Sequence, residues 1–133
     1  MRYTSDFYVK EIRFVLEYAI PIWYSSITRQ QSCAIEKIQR WAVSLIPDNW
    51  TFLYRIKCTL LSLEPLFLRR KSLALSFAKK MAENPRHSAF FTKHKSSYNT
   101  RNSGKTYYEH KARITLFQKS PLVSLTADIN QYD

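Results

Sequence analysis

Residues 28–48 read TRQQSCAIEKIQRWAVSLIPD, and this stretch decides the fold class. Thr28-Arg29-Gln30-Gln31 has the form of a capping box. The threonine hydroxyl can accept from first-turn amides that have no intrahelical partner, and Gln31 can reach back to the start of the turn. Ile35, Ile38, Ala42 and Leu45 then recur at gaps of 3, 4 and 3, which keeps them on one helical face. Pro47-Asp48-Asn49 stops the pattern, because proline has no amide to donate and Asp and Asn favour turns. The stretch predicts a helix with both ends written into it.

Working outward, residues from about Tyr3 to Trp23 carry a second helical pattern, with Tyr8, Ile12, Val15, Ala19 and Ile22 on one face. Pro21 is expected to kink or close its last turn. A short polar stretch, Tyr24 to Ile27, joins the two segments, and an antiparallel pair is the natural packing. Downstream, a shorter helix is expected over Thr51 to Thr59, with Phe52, Leu53, Ile56 and Leu60 as its apolar face. A further helix should start at Ser62 as N-cap, with Glu64 in its positive first turn and Pro65 tolerated there. It should run to about Glu83, where Asn84-Pro85 ends it. Leu66, Leu73, Ala74, Phe77, Ala78 and Met81 share one face of this helix, and Arg69, Lys71, Lys79 and Lys80 lie outside it. Arg70 falls inside the apolar arc, so it is expected to snorkel or to pair with a partly buried carboxylate.

After Pro85 the chain turns basic and hydroxyl-rich. Lys93 to Lys105 is expected to be an irregular or disordered arm, Tyr108 to Gln118 a weak helix, and Pro121 to Asp133 loose. The single glycine, Gly104, weighs against glycine-rich α/β nucleotide folds and β-sandwiches. The expected fold is all-α: a small bundle of about four helices over residues 1–85, then a basic, largely irregular C-terminal extension over 86–133.

Charge is segregated. Leu66 to Lys119 hold thirteen of the 21 Lys and Arg but two of the ten Asp and Glu, so this stretch carries the whole net charge of +11 and the remainder balances at eight against eight. Such asymmetry favours a polyanionic partner for the second half. The 2 cysteines, Cys33 and Cys58, sit among apolar residues and read as reduced core thiols. The longest clean apolar run, Ala19 to Trp23, is far short of the roughly 20 residues of a membrane span. Charged residues near the N-terminus exclude a signal peptide, so an intracellular location, nuclear or cytoplasmic, is expected without a membrane partner.

Catalytic patterns are missing. Asp6, Asp48, Asp128 and Asp133 show no spacing suited to two-metal phosphoryl transfer. His87, His94 and His110 lack zinc-site spacing, and there is no glycine-rich phosphate loop. No catalytic residue, metal, cofactor or small-molecule ligand is expected. The positive signal is cations interleaved with aromatics: Lys93, Lys95, Arg101, Lys105, Lys111 and Arg113 with Tyr98, Tyr107 and Tyr108, joined by Arg69, Lys79 and Lys80. Cations neutralise phosphates and tyrosine rings can stack on unpaired bases. A solvated basic linker would have the same composition.

The run Ile12-Arg13-Phe14-Val15-Leu16-Glu17-Tyr18-Ala19-Ile20-Pro21-Ile22-Trp23 resembles an "IR-x-x-LEYA-x-P-x-W" block, and Gln31-Ser32, Ile35-Glu36, Ile38-Gln39 and Ala42 resemble the "QS-x-x-IE-x-IQ-x-x-A" block that follows it. Asn84-Pro85-Arg86-His87 and Tyr98-Asn99-Thr100-Arg101-Asn102-Ser103 are similar to later "NP-x-H" and "YN-x-RNS" elements. Together these blocks resemble the thumb-side region just after the palm in reverse transcriptases of non-LTR retrotransposons of the long interspersed element type (jockey- or RTE-like). The resemblance spans about Phe7 to Leu122. It implies a helical thumb-like bundle that holds an RNA or RNA–DNA template–primer duplex without sequence preference, beside a palm domain. The parent family is an RNA-directed DNA polymerase, whose paired palm aspartates are absent here, so this chain alone should not polymerise. Trp41, Pro65 and Phe67 depart from the family pattern, which suits a truncated or decaying copy. Two other readings remain open: a helical protein-interaction module and an inert remnant.

Overall fold

The computed structural model describes residues 2–45, 52–93 and 105–132. Among them the chain is mostly helical and forms no sheet. Contacts divide it into two compact units, Met1–Ile20 with Ile27–Lys71, and Pro21–Ser26 with Ser72–Asp133. The change of composition at Pro85 does not coincide with this division.

In the first unit, α1 (Arg2–Phe7) runs through a π-helical segment (Tyr8–Arg13) into α2 (Phe14–Glu17). The π turn takes more residues than an α turn, so Tyr8 and Arg13 both point inward while Phe14 and Val15 face out. The apolar face expected from a 3.6-residue period is therefore lost beyond Ile12. The helix ends at Glu17 because Pro21, four residues on, has no amide for that carbonyl and its ring would crowd it. Tyr18 turns extended and Ala19 takes φ 52, a left-handed conformation that costs a Cβ-bearing residue about 1 kcal/mol. The chain restarts as α3 (Ile20–Trp23), with Pro21 in the first turn, where no donor is needed.

α4 (Arg29–Leu45) opens on the expected capping box. The Gln31 amide donates to Thr28 Oγ1 at 3.2 Å and the Thr28 amide donates to Gln31 Oε1 at 3.0 Å. Its buried residues are Gln39, Ala42 and Val43, whereas Ile38, Trp41 and Leu45 are exposed. The inward face is thus turned by about one residue from the apolar stripe. The expected stop at Pro47-Asp48-Asn49 lies outside the described residues.

α5 (Tyr54–Leu60) inverts its expected face: Lys57 and Cys58 are buried, while Phe52, Leu53, Ile56 and Leu60 are exposed. It closes with two bonds, Ser62 N–H to the Thr59 carbonyl at 3.1 Å and Leu63 N–H to the Cys58 carbonyl at 2.8 Å. Ser62 sits at φ 53 and Leu63 and Cys58 join the core, which together make a Schellman motif. Ser62 therefore ends α5 rather than capping the next helix. α6 (Leu66–Glu83) starts after Pro65, whose carbonyl accepts from the Arg69 amide at 3.1 Å, and Glu64 stays outside it. Leu66, Ala74 and Ala78 are buried on the expected face, and α6 ends before Asn84-Pro85 as expected. Arg70 is buried too, but its Nη2 donates to the Ser32 hydroxyl at 2.6 Å, not to a carboxylate, and its Nη1 has no partner.

The core of this unit gathers Tyr8, Ala42, Val43, Cys58 and Leu63, with Ile12, Tyr54 and Leu61 packed against them. A chain of polar groups runs through it. Tyr8 Oη donates to Gln39 Oε1 at 3.1 Å, and Gln39 Nε2 donates to Tyr54 Oη at 3.0 Å and to the Glu64 carbonyl at 3.1 Å. Tyr54 Oη in turn donates to Glu36 Oε1 at 2.9 Å. Burial pushes the Tyr8 phenol up to about 12. Burial, then the hydrogen bond to Glu36, holds the Tyr54 phenol well above its ordinary range.

In the second unit a short 3₁₀ turn (Ser88–Phe90) precedes α7 (Thr115–Gln118) and α8 (Pro121–Tyr132). The helix expected over Tyr108 to Gln118 shrinks to its last four residues. The end expected to be loose is instead α8, which buries Leu125, Thr126 and Ile129. Its start was written in the sequence: Ser120 offers its carbonyl to the Ser124 amide at 3.1 Å, and Pro121 takes the first helical position.

Candidate nucleic-acid interface

The chain leaving the 3₁₀ turn is caught by residues far downstream. Lys93 pairs with Tyr107 in an antiparallel bridge, and the Tyr108 amide donates to the Thr92 carbonyl at 2.8 Å. The buried Phe91 ring meets the edge of Tyr107 at 6.0 Å between centroids. From α8, Asn130 holds the Tyr107 backbone at both ends: its Oδ1 accepts from the Tyr107 amide and its Nδ2 donates to the Tyr107 carbonyl, each at 2.8 Å. An asparagine amide carries an acceptor and a donor side by side, so it can replace a strand partner. Asn130 Nδ2 also lies 3.2 Å from Glu109 Oε1.

The expected site residues fall into groups. Lys93, Lys105 and Tyr107 are brought together at this clasp. Lys105 Nζ sits 2.6 Å from Glu109 Oε2, and that hydrogen bond holds the Glu109 carboxyl below its ordinary value against the opposing effect of burial. Tyr107 is half-buried with its ring set against Phe91, so Tyr108, exposed and perpendicular to the His110 ring, is the freer ring. Lys111 and Arg113 are exposed, as are Lys79 and Lys80 on α6. Arg69 belongs to the first unit, where its Nε lies 2.7 Å from Glu17 Oε1, a carboxylate oxygen that Arg13 Nε also reaches at 2.7 Å. Lys95, Tyr98 and Arg101 lie outside the described residues, as does most of the arm expected over Lys93 to Lys105.

Two groups of residues escaped the sequence reading. Asn130 lies in the stretch expected to be loose, although Leu122, Leu125, Thr126 and Ile129 keep helical spacing there. Arg86 and Lys119 are further exposed cations of the second unit. Among the described residues no three His, Cys, Asp or Glu side chains cluster as a metal site, and no helix is long and apolar enough to cross a membrane. No protein-family model, curated protein or solved structure matches the chain.

Proposed function

We propose that this chain binds nucleic acid without sequence preference, as a non-catalytic, thumb-like helical piece of an RNA-directed DNA polymerase of the non-LTR retrotransposon kind. One observation carries the binding role: Lys80, Arg86, Lys93, Lys111, Arg113 and Lys119 are all exposed in the second unit. Exposed cations neutralise phosphates whatever the base sequence, which supports binding without sequence preference. The polymerase assignment rests on the ordered sequence blocks from Ile12 to Ser103.

The test is fluorescence anisotropy of the full chain on a labelled RNA–DNA hybrid over rising salt. Neutralising about five phosphates gives a slope of log K against log salt of about −4 to −5. No binding at about 50 mM salt, where counterion release is most favourable, overturns the reading.

A second reading is a module that docks on another protein domain, a polymerase palm on the resemblance. It is favoured by Val15, Trp41, Leu53, Leu60 and Leu116, each more than 60% exposed. Neutralising Arg101, Lys105, Lys111 and Arg113 together separates the two. Loss of hybrid binding supports the first, and a palm pull-down that survives the change alongside absent hybrid binding supports the second.

A further inference from the structure

The first unit contains a cavity of about 460 Å³, lined by none of the cations of the candidate interface. Its wall combines three chemistries. Glu36 contributes a carboxylate, Arg40 and Arg55 contribute guanidinium groups, and Pro65, Phe67 and Leu68 contribute apolar surface. The volume suits a ligand of nucleotide size.

Glu36 is the informative member. Its Oε1 accepts from Tyr54 Oη at 2.9 Å, while its Oε2 is buried and has no hydrogen-bond partner. An ionised carboxylate has about four acceptor positions, and a buried one left unmet is costly. Glu36 lines the cavity, and its unmet Oε2 is an acceptor that an N–H donor of a ligand would satisfy. Arg40 is held in place, since its guanidinium lies 5.2 Å over the centre of the Tyr54 ring.

We propose that this cavity is a guanine-nucleotide site. The pairing edge of guanine presents two adjacent N–H donors, which match a carboxylate fork. Adenine presents one donor beside one acceptor and cytosine one donor beside two acceptors, so an acceptor would face a carboxylate oxygen. Uracil presents one donor between two carbonyls. Glu36 therefore selects guanine, Phe67 and Pro65 cover the base, and Arg40 and Arg55 take the phosphate by charge-assisted hydrogen bonds. The source of the base is either a free nucleotide or an unpaired guanine in a strand. The site uses none of the exposed cations of the second unit, so either assignment can fail without the other.

The experiment is equilibrium titration of the full chain, by intrinsic tryptophan fluorescence, with GMP, AMP, CMP, UMP and guanosine. A uridine tract containing one guanine is titrated in parallel. The expected result is tightest mononucleotide binding for GMP and a further loss for guanosine. Glu36→Gln should weaken GMP about tenfold, the worth of one hydrogen bond to a charged group, and leave AMP unchanged. Arg55→Gln lies outside the Tyr54–Gln39 network, so it keeps the test open if Glu36→Gln misfolds, as judged by circular dichroism. It should weaken all mononucleotides alike and spare guanosine. Binding of GMP alone identifies a free nucleotide as the ligand, and binding of the guanine-bearing tract alone identifies an unpaired base. Equal binding of GMP, AMP and UMP, or no binding of GMP and the guanine tract, overturns the proposal.

Discussion

α5 and α6 follow each other in the chain and place their apolar residues in opposite ways. α6 buries Leu66, Ala74 and Ala78 on the face that its periodicity marks. α5 turns Ile56 and Leu60 outward, as it does Leu53 just before it, and buries Lys57 and Cys58. The difference lies in what each helix has to satisfy. The inner side of α6 is apolar at Leu66, Ala74 and Ala78, and its one buried charge, Arg70, finds a hydroxyl. α5 has to bring Tyr54 to Gln39 and Glu36, because a buried amide or phenol without a partner costs more than an exposed leucine. Satisfying polar groups fixed the rotation of α5, and the apolar side chains took the remaining direction.

Two measurements test this contrast directly. The largest effect is expected from Gln39→Leu. It leaves the Tyr8 hydroxyl without its acceptor and removes a donor from Tyr54 and Glu64, so stability to urea should fall by about 3 kcal/mol, at 1–3 kcal/mol per unmet group. A fall below about 1 kcal/mol would show that the network does not set the orientation of α5. Next comes a matched pair. Ala78→Leu overfills a site with 0% exposure and should cost about 1–3 kcal/mol, whereas Leu60→Ser on α5 should stay within about 0.5 kcal/mol. A large loss from Leu60→Ser would mean that the outer face of α5 is covered.

The parts of this fold that sequence could supply are those governed by near neighbours. The capping box at Thr28 and Gln31, the stop before Asn84-Pro85 and the inner face of α6 all act within about one turn. The π turn at Tyr8–Arg13 was not legible, because it arises when Tyr8 and Arg13 both find partners in distant segments. The same holds for the candidate interface. Its cations could be counted from composition, but whether one is engaged depends on Glu17 meeting Arg69 across 52 positions, and the clasp depends on Asn130 meeting Tyr107 across 23. The cavity beside Glu36 assembles from α4, α5 and the start of α6, so no local pattern announces it. The α8 signal, by contrast, was present in the spacing of Leu122, Leu125, Thr126 and Ile129 and was outweighed by the polar character of the segment before it.

Two smaller effects follow. Ala19→Gly relieves the left-handed backbone at φ 52 and should raise stability by about 0.5–1 kcal/mol, read as an upward shift in Tm. The smallest concerns Glu109, whose carboxyl is lowered from the usual 4.5, chiefly by the hydrogen bond from Lys105. A lowered folded value means that the contribution is present above that usual value and disappears as pH falls through the folded one. Wild type should therefore melt above Glu109→Gln at pH 6 and match it in strongly acidic buffer. A gap that persists in acid would assign the role of Glu109 to its shape rather than its charge.

The clasp made by Lys93, Tyr107 and Asn130 also bears on how this protein can change over generations. Residues inserted between positions 93 and 107 would lengthen a stretch whose two ends are already tied. The entropy of closing a chain grows only with the logarithm of its length, so even doubling such a stretch costs about 0.6 kcal/mol. Loss of Asn130, by contrast, would release the amide and the carbonyl of Tyr107 together, so the clasp itself is where change is least tolerated.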